Sequence, residues 1–358
     1  MFDHLDDPQP WTPSDGLRAT VARRGRTLRR RRHLLAGGVM TVVLLVAGVA
    51  GASTFVDRKL DSVDRLRVAG LRQTAKPVDP KVILFVGVDS DAGLSPQPRT
   101  RPYRTDTIVL ARVDAGAETL ALLPLPRDLL LDIPGHGRGR INQAFALGGP
   151  ELLIQTIHQD LGIEVDHYLQ TDFRGAVDIG DALGGLRLAF GAAVRDHNSG
   201  LARPAGCQTL GGTQLLQLGR SRHLQWDDRG RWTSDPTSDL GRIERQQAIG
   251  AAVLARLTTI DAANPAALNR LLTTVSRSLV VDAGTTNADL IALFRAIDGS
   301  RLVPVRLPVH DMVTDQGAAV LVVTGDVAAA VTPFLHAPPP GPHGPGGMPT
   351  MPWQPSTC

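Results

Sequence analysis

The sequence predicts an α/β protein: a single layered α/β/α domain with a central mixed sheet, preceded by one transmembrane helix. Three observations carry this. Val82 to Val88 is an unbroken apolar run of strand length, the pattern of a strand covered on both faces. Strand-like and helix-like segments then alternate without an internal repeat, as expected of a layered α/β domain. Ahead of both, residues 34–56 form an apolar stretch without a charge.

Composition fits that outline. At 358 residues the chain has room for one large or two ordinary domains, and 42% hydrophobic content with only 4% aromatic residues implies an aliphatic core. The net charge of +3 suggests nucleic acid, but its distribution argues against that. Residues 1–33 hold eight Arg and four Asp, so the remainder is slightly acidic and carries no basic footprint.

Taken in order, 1–33 is a basic cytoplasmic tail. Residues 34–56 would span roughly 34 Å as a helix, enough to cross the hydrocarbon layer. Arg23, Arg24, Arg26 and Arg29 to Arg32 precede that run, so the positive-inside rule puts the N-terminus in the cytoplasm and the rest of the chain outside. A cleaved signal peptide ending at Ala50-Gly51-Ala52 and a twin-Arg signal at Arg31-Arg32 are the competing readings. The apolar run is longer than a usual signal core, which favours an uncleaved anchor. Residues 57–80 read as a stalk with a weak helical stripe of Leu60, Val63 and Leu66, ended by Pro77 and Pro80.

The domain proper is expected over 81–335. After the 82–88 strand come strands at Thr107 to Val113 and Thr119 to Leu125. A short helix runs from Gln143 to Leu147, Gly148-Gly149 closes it, and a second helix covers Pro150 to Leu161. Val165 to Leu169 is a strand. Helices follow at Phe173 to Leu183, Thr213 to Leu218, Asp239 to about Leu257, Ala266 to Leu272 and Asn287 to Ala296. Strands at Arg301 to Leu307 and Ala318 to Val323 end the pattern. Residues 336–358 form an extended tail rich in Pro and Gly.

Chemistry concentrates between Arg220 and Gln247. Arg220 and Arg222 are two apart and would share a face on a strand. Ser238 or Asp239 can cap the following helix, where Asp239, Arg242 and Gln246 stand on one face. Arginine forks and a helix N-terminus both suit phosphate oxygens. The opposing reading is a solvated charged helix face. Cys207 and Cys358 are the only cysteines, too few for a metal site; both fall on the outer side of the membrane, where oxidation is favoured, so they are expected to form a disulfide with each other, the alternatives being free thiols or a bridge between chains. His197, His223 and His310 lack ligand spacing, and Arg138 and Arg140 stay outside the candidate set.

The ordered pieces resemble the LytR-CpsA-Psr family of bacterial cell-envelope proteins over about residues 82 to 257. They are Gly87-Val88-Asp89-Ser90, Arg104-Thr105-Asp106-Thr107, Leu125-Pro126-Arg127-Asp128, Arg140-Ile141-Asn142-Gln143-Ala144-Phe145, Asp166-His167-Tyr168, Asp172-Phe173, Asp181-Ala182-Leu183-Gly184-Gly185, Leu210-Gly211-Gly212, Arg220-Ser221-Arg222, Asp239-Leu240-Gly241-Arg242 and Arg245-Gln246. The resemblance implies a single-pass protein of the cell membrane whose catalytic domain is extracytoplasmic. It implies a phosphotransferase that moves a glycopolymer from a polyprenyl-pyrophosphate carrier to peptidoglycan, making a phosphodiester. By the same resemblance Asp89 and Asp106 hold Mg²⁺. Arg104, Arg127, Arg220, Arg222, Arg242 and Gln246 contact the pyrophosphate, and the lipid tail lies in an apolar tunnel. Asp106 or Asp239 is the candidate base. Rival readings are a pyrophosphate hydrolase, a lipid-binding protein without turnover, and a transcriptional attenuator; an external domain without a DNA-binding pattern argues against the last.

Overall fold

The computed structural model describes residues 56, 58–72, 80–88, 105–114, 116–236, 238–258, 265–291, 301–336 and 356–358. The chain divides into two compact units, Met1–Arg58 and Lys59–Cys358, and every element named below lies in the second. The basic tail and nearly all of the expected anchor lie outside the described residues. Among the described residues no helix is long and apolar enough to cross a membrane.

The elements run in the order β1 (Asp64–Leu66), β2 (Lys81–Val88), β3 (Thr105–Asp114), β4 (Thr119–Pro124), β5 (Leu130–Ile133), β6 (Gly137–Arg140), α1 (Ile141–Leu161), β7 (His167–Asp172), α2 (Phe173–Ala182), β8 (Leu186–Phe190), β9 (Val194–Asp196), β10 (Leu201–Arg203), β11 (Gly206–Leu210) and α3 (Gly212–Arg220). Then come β12 (Gln225–Asp228), β13 (Arg231–Ser234), α4 (Ser238–Thr258), α5 (Pro265–Ser278), β14 (Val280–Asp282), β15 (Arg301–Pro304), β16 (Val309–Val313), β17 (Ala319–Val323), α6 (Val327–Leu335) and β18 (Ser356–Thr357).

The apolar run takes the central place its composition demands. β2 is the middle strand of a seven-stranded mixed sheet ordered β1-β14-β7-β2-β3-β4-β15. It runs parallel to β7 and antiparallel to β3. Val82, Leu84, Val86 and Val88, every second residue, enter one core with Ile108, Leu110 and Leu123. α1 and α6 cover that core through Leu153, Ile157, Val331 and Phe334. α1 is two helices in register with the prediction: Gly148 and Gly149 leave helical geometry, and Pro150 restarts it at a position where a missing N–H costs little.

A second core lies among β8, α3, α4 and α5, built from Leu186, Leu188, Phe190, Leu215, Leu218, Ala252, Leu271 and Val275. Here α2 and α3 cross at two glycines. A Cβ on Gly180 would lie 2.8 Å from the Gly212 Cα, and one on Gly212 would strike the Val177 carbonyl. That close approach explains why Leu210-Gly211-Gly212 must end in glycine.

One expectation needs correction. The stretch read as a stalk over 57–80 is part of the domain as far as Arg72. Leu60 and Val63 are buried, and β1 pairs in parallel with β14 at the sheet edge. Arg72 clamps it by donating from Nε and Nη2 to the two Asp166 oxygens, both at 2.8 Å. The expected disulfide is present: Cys358 is bonded to Cys207 with their Cα atoms 6.2 Å apart, and it ties down the end of the tail, where β18 pairs with β8. Residues 337–355 lie outside the described set.

Candidate functional site at one end of the sheet

Four strands bring the candidate residues to one end of the main sheet. Val88, the last residue of β2, pairs with Asp172 at the end of β7 and with Thr105 at the start of β3. The β2–β3 register shifts at Gly87/Val88, a bulge of the kind that re-aims a chain beside a site. β4 runs antiparallel to β3, so it too ends here, and Arg127 lies in the turn just beyond it. Ligands of open α/β sheets bind at such strand ends.

Asp89 and Arg104, and the side chains of Asp106 and Asp239, lie outside what the structure describes. Their neighbours are informative for the first three. Asp89 follows Val88, and Arg104 and Asp106 flank Thr105, the residue that Val88 pairs with. Thr105 is fully buried, and its Oγ1 has no hydrogen-bond partner among the described residues. Among the described residues no group of three His, Cys, Asp or Glu is arranged to hold a metal ion.

The Arg220–Arg222 segment is not a strand, as its spacing suggested. Arg220 is the last residue of α3, and Ser221 is its C-cap with extended backbone. The reason is the amphipathic run 212–218, which buries Leu215 and Leu218 in the second core and carries the helix through Gly219. Arg220 reaches the sheet end through Phe173, the first residue of α2 after β7. Its guanidinium carbon lies 4.7 Å from the ring centroid, a cation–π contact.

The turn after Arg220 is built around two buried ionic groups. The Asp196 carboxylate, at the end of β9, accepts from Ser221 Oγ at 2.6 Å, Arg222 N at 3.0 Å and His223 N at 2.9 Å on one oxygen. Its other oxygen accepts from Asn198 N and Ser199 N. Burial alone would raise its pKa. The Ser221 hydroxyl and the amides of His223, Ser199 and Asn198 outweigh that and hold it below the ordinary carboxylate value. From the other side, fully buried Arg245 donates from Nη2 to the Ser221 carbonyl at 2.9 Å and from Nη1 to Asp235 at 2.7 Å. Burial lowers the Arg245 pKa, and Asp235 partly offsets this.

Gln246, one residue on, donates from Nε2 to the Gly219 carbonyl at 3.0 Å and so fixes the end of α3. Arg242, one turn earlier on α4, is buried. Arg127 is half-buried with its Nε 3.4 Å from Asp128. Arg140, kept out of the candidate set, is engaged structurally: its Nη2 donates to the Ala319 carbonyl at 2.8 Å. Asp166 and His167 also serve the fold. Asp166 accepts from Val82 N at 2.7 Å, and His167 Nδ1 lies 2.8 Å from Thr285 Oγ1.

The sequence reading missed Asp196, Asp235, Phe173 and the positioning role of Arg245. The one available signal was Arg245 and Phe173 inside the ordered motifs. Asp196 and Asp235 had none, because their partners are remote in sequence.

Comparison with known proteins gives the family. The LytR_cpsA_psr family model matches residues 48–333. The chain belongs to the LytR_cpsA_psr family. It is 32% identical over 230 residues to the "Probable cell wall biosynthesis protein LcpB" of Corynebacterium glutamicum, covering 62% of this chain and 51% of that protein. It is 26% identical over 267 residues to the Enterococcus faecalis "Polyisoprenyl-teichoic acid--peptidoglycan teichoic acid transferase TagU", covering 73% and 81% respectively. A "LytR-Csp2A-Psr enzyme from Actinomyces oris" superposes with a TM-score of 0.63 at 25% identity, over 76% of this chain and 95% of that one. The chain thus spans about half the length of the Corynebacterium relative.

Proposed function

We propose that this protein is a membrane-anchored phosphotransferase that moves a glycopolymer from a polyprenyl-pyrophosphate carrier to peptidoglycan. The observation that carries this reading is the Arg220–Ser221–Arg222 turn, held between the Asp196 carboxylate and the Arg245 guanidinium and joined to the sheet end by the Arg220–Phe173 contact. A pyrophosphate carries several negative charges, and each charge-assisted hydrogen bond to it is worth about 1.5–3 kcal/mol. The held turn gives Arg220 and Arg222 their geometry before substrate arrives, which is what electrostatic stabilisation of a phosphoryl transition state requires. The names of the Corynebacterium and Enterococcus relatives support the polymer and the acceptor class.

Asp89 and Asp106 fit an Mg²⁺ role in chemistry, being hard oxygen donors that follow the paired residues Val88 and Thr105 in sequence. When bound, the ion would neutralise charge on the leaving phosphate. In this reading Arg104, Arg127, Arg220, Arg222 and Arg242 grip the head group, Gln246 fixes the turn, and Asp106 or Asp239 takes the acceptor proton. Residues 34–56 anchor the chain, and the catalytic domain is extracytoplasmic. The Cys207–Cys358 bridge supports that side of the membrane, since disulfides persist in oxidising compartments.

The test is transfer from a synthetic polyprenyl-pyrophosphate sugar donor to a peptidoglycan acceptor. Arg220→Ala and Arg222→Ala are expected to reduce turnover at least a hundredfold with the fold intact. Near wild-type transfer in both variants, or release of phosphosugar to water with no acceptor product, refutes the reading.

A further inference from the structure

A second concave site lies away from the strand ends, at the opposite end of α3 from Arg220. It is a cleft of about 360 Å³ between the β9–β10 turn and the first turns of α3, lined by Asp181, Arg203, Thr213, Gln214 and Gln217. Its size falls within the range of small-molecule pockets, and the side chains that line it are polar, with polar and apolar atoms sharing its surface about equally.

The side chains are held for binding rather than for each other. Among the described residues the Arg203 guanidinium has no hydrogen-bond or ion-pair partner, although its Nε is buried. One Asp181 oxygen accepts from Gly212 N at 2.7 Å, and the other has no partner among the described residues. Gln214 Oε1 accepts from Gly211 N at 3.0 Å, which fixes the side chain and leaves its NH₂ group available. The side chains of Gln217 and Thr213 have no hydrogen-bond partner among the described residues. The cleft therefore combines a guanidinium fork, a carboxylate acceptor, two amides and a hydroxyl.

These groups select a ligand class. A phosphate would meet Asp181, and a cation would meet Arg203. A neutral polyhydroxylated ligand satisfies both, donating hydroxyls to the carboxylate and accepting from the fork and the amides. We infer that this cleft is a saccharide subsite for a neutral segment of glycan. Thr213, Gln214 and Gln217 stand three to seven residues before Arg220, so the cleft lies roughly 5–10 Å along the α3 axis from it. A sugar chain whose reacting end is at Arg220 could reach it while extended along α3. The saccharide class rests on the proposed transfer function. The glycan could belong to the incoming polymer or to the peptidoglycan acceptor.

Ligand-observed NMR with the full chain in detergent tests this, using a β-1,4-linked N-acetylglucosamine tetramer and a glucose tetramer without acetamides. Binding of the acetylated probe assigns the cleft to the acceptor, and binding of the glucose probe alone assigns it to the polymer. Gln217→Ala and Arg203→Met, the latter keeping its buried stem, should each weaken binding at least fivefold. Thr213→Tyr, at an exposed position, should obstruct the cleft without disturbing the core. Thermal melting and the intact disulfide report the fold. Absence of binding by either probe, or binding unchanged in folded Thr213→Tyr, overturns the inference. The assay does not use turnover. Transfer without glycan binding defeats only the cleft, and glycan binding without transfer defeats only the transferase reading.

Discussion

Replacing Asp196 with Asn should unlock the arginine turn while changing almost no volume. In the wild type, one Asp196 oxygen accepts three hydrogen bonds and the other accepts two. Asparagine keeps one oxygen and presents an NH₂ group in place of the other, so a donor faces donors whichever way it turns. At least two bonds to a buried anion are lost. At about 1.5–3 kcal/mol each, with some relaxation of the loop, the cost is about 3–5 kcal/mol. That is a large share of the 5–15 kcal/mol typical of a folded domain. The assay is urea unfolding followed by fluorescence of Trp226 and Trp232, which lie in the β12–β13 hairpin next to the turn. The gap between wild type and variant should depend on pH in one direction. The folded-state pKa of Asp196 is depressed, so its contribution is fully present above the unfolded carboxylate value of about 3.9. It is lost as pH falls through the lower folded value, so the gap should close in acid. A destabilisation under about 1 kcal/mol at neutral pH, or a gap that stays constant down to pH 2, refutes the reasoning.

Three further outcomes are expected. Phe173→Leu removes the ring beneath Arg220 and should cost about 0.5–1 kcal/mol of positioning, seen as a two- to fivefold loss in transfer rate with the melting temperature nearly unchanged. Asp89→Asn and Asp106→Asn should blunt the response of transfer to Mg²⁺; wild-type-like titration curves in both, with activity surviving EDTA, would remove the metal role. Mild reduction should release β18, raising amide exchange along β8 and lowering the melting temperature by a few degrees. The chain-entropy limit for so long a loop is about 5 kcal/mol, but a two-residue strand should realise only part of it.

What could be read from the sequence follows the range of the interactions. β2 was legible because a strand buried on both faces needs an unbroken apolar run, and α1 because Gly148-Gly149-Pro150 marks its break. The strands from β8 to β13 were missed: most are three or four residues long, and alternation over so few positions is no signal. β1 was read as stalk because three exposed residues, Asp64 to Leu66, give no hint of pairing with Val280 to Asp282. The Arg220 segment was placed on a strand because two-residue spacing ignores the helix running into it. Asp196 was invisible, since a carboxylate in Val194-Arg195-Asp196 looks solvated until Ser221 to His223 fold onto it.

The bridge between Cys207 and Cys358 also decides how the domain would transmit tension. The two cysteines are 151 positions apart, and the segment between them contains α3, the Arg220 turn and the whole of α4. A pull between the N-terminal side of the domain and Cys358 would pass through the sulfur–sulfur bond to Cys207. The intervening residues would form a closed side loop that carries no force. Arg220, Arg222 and Arg242 lie inside that loop and would keep their register while the ends of the chain are strained, whereas Arg127 lies in the part that bears the load.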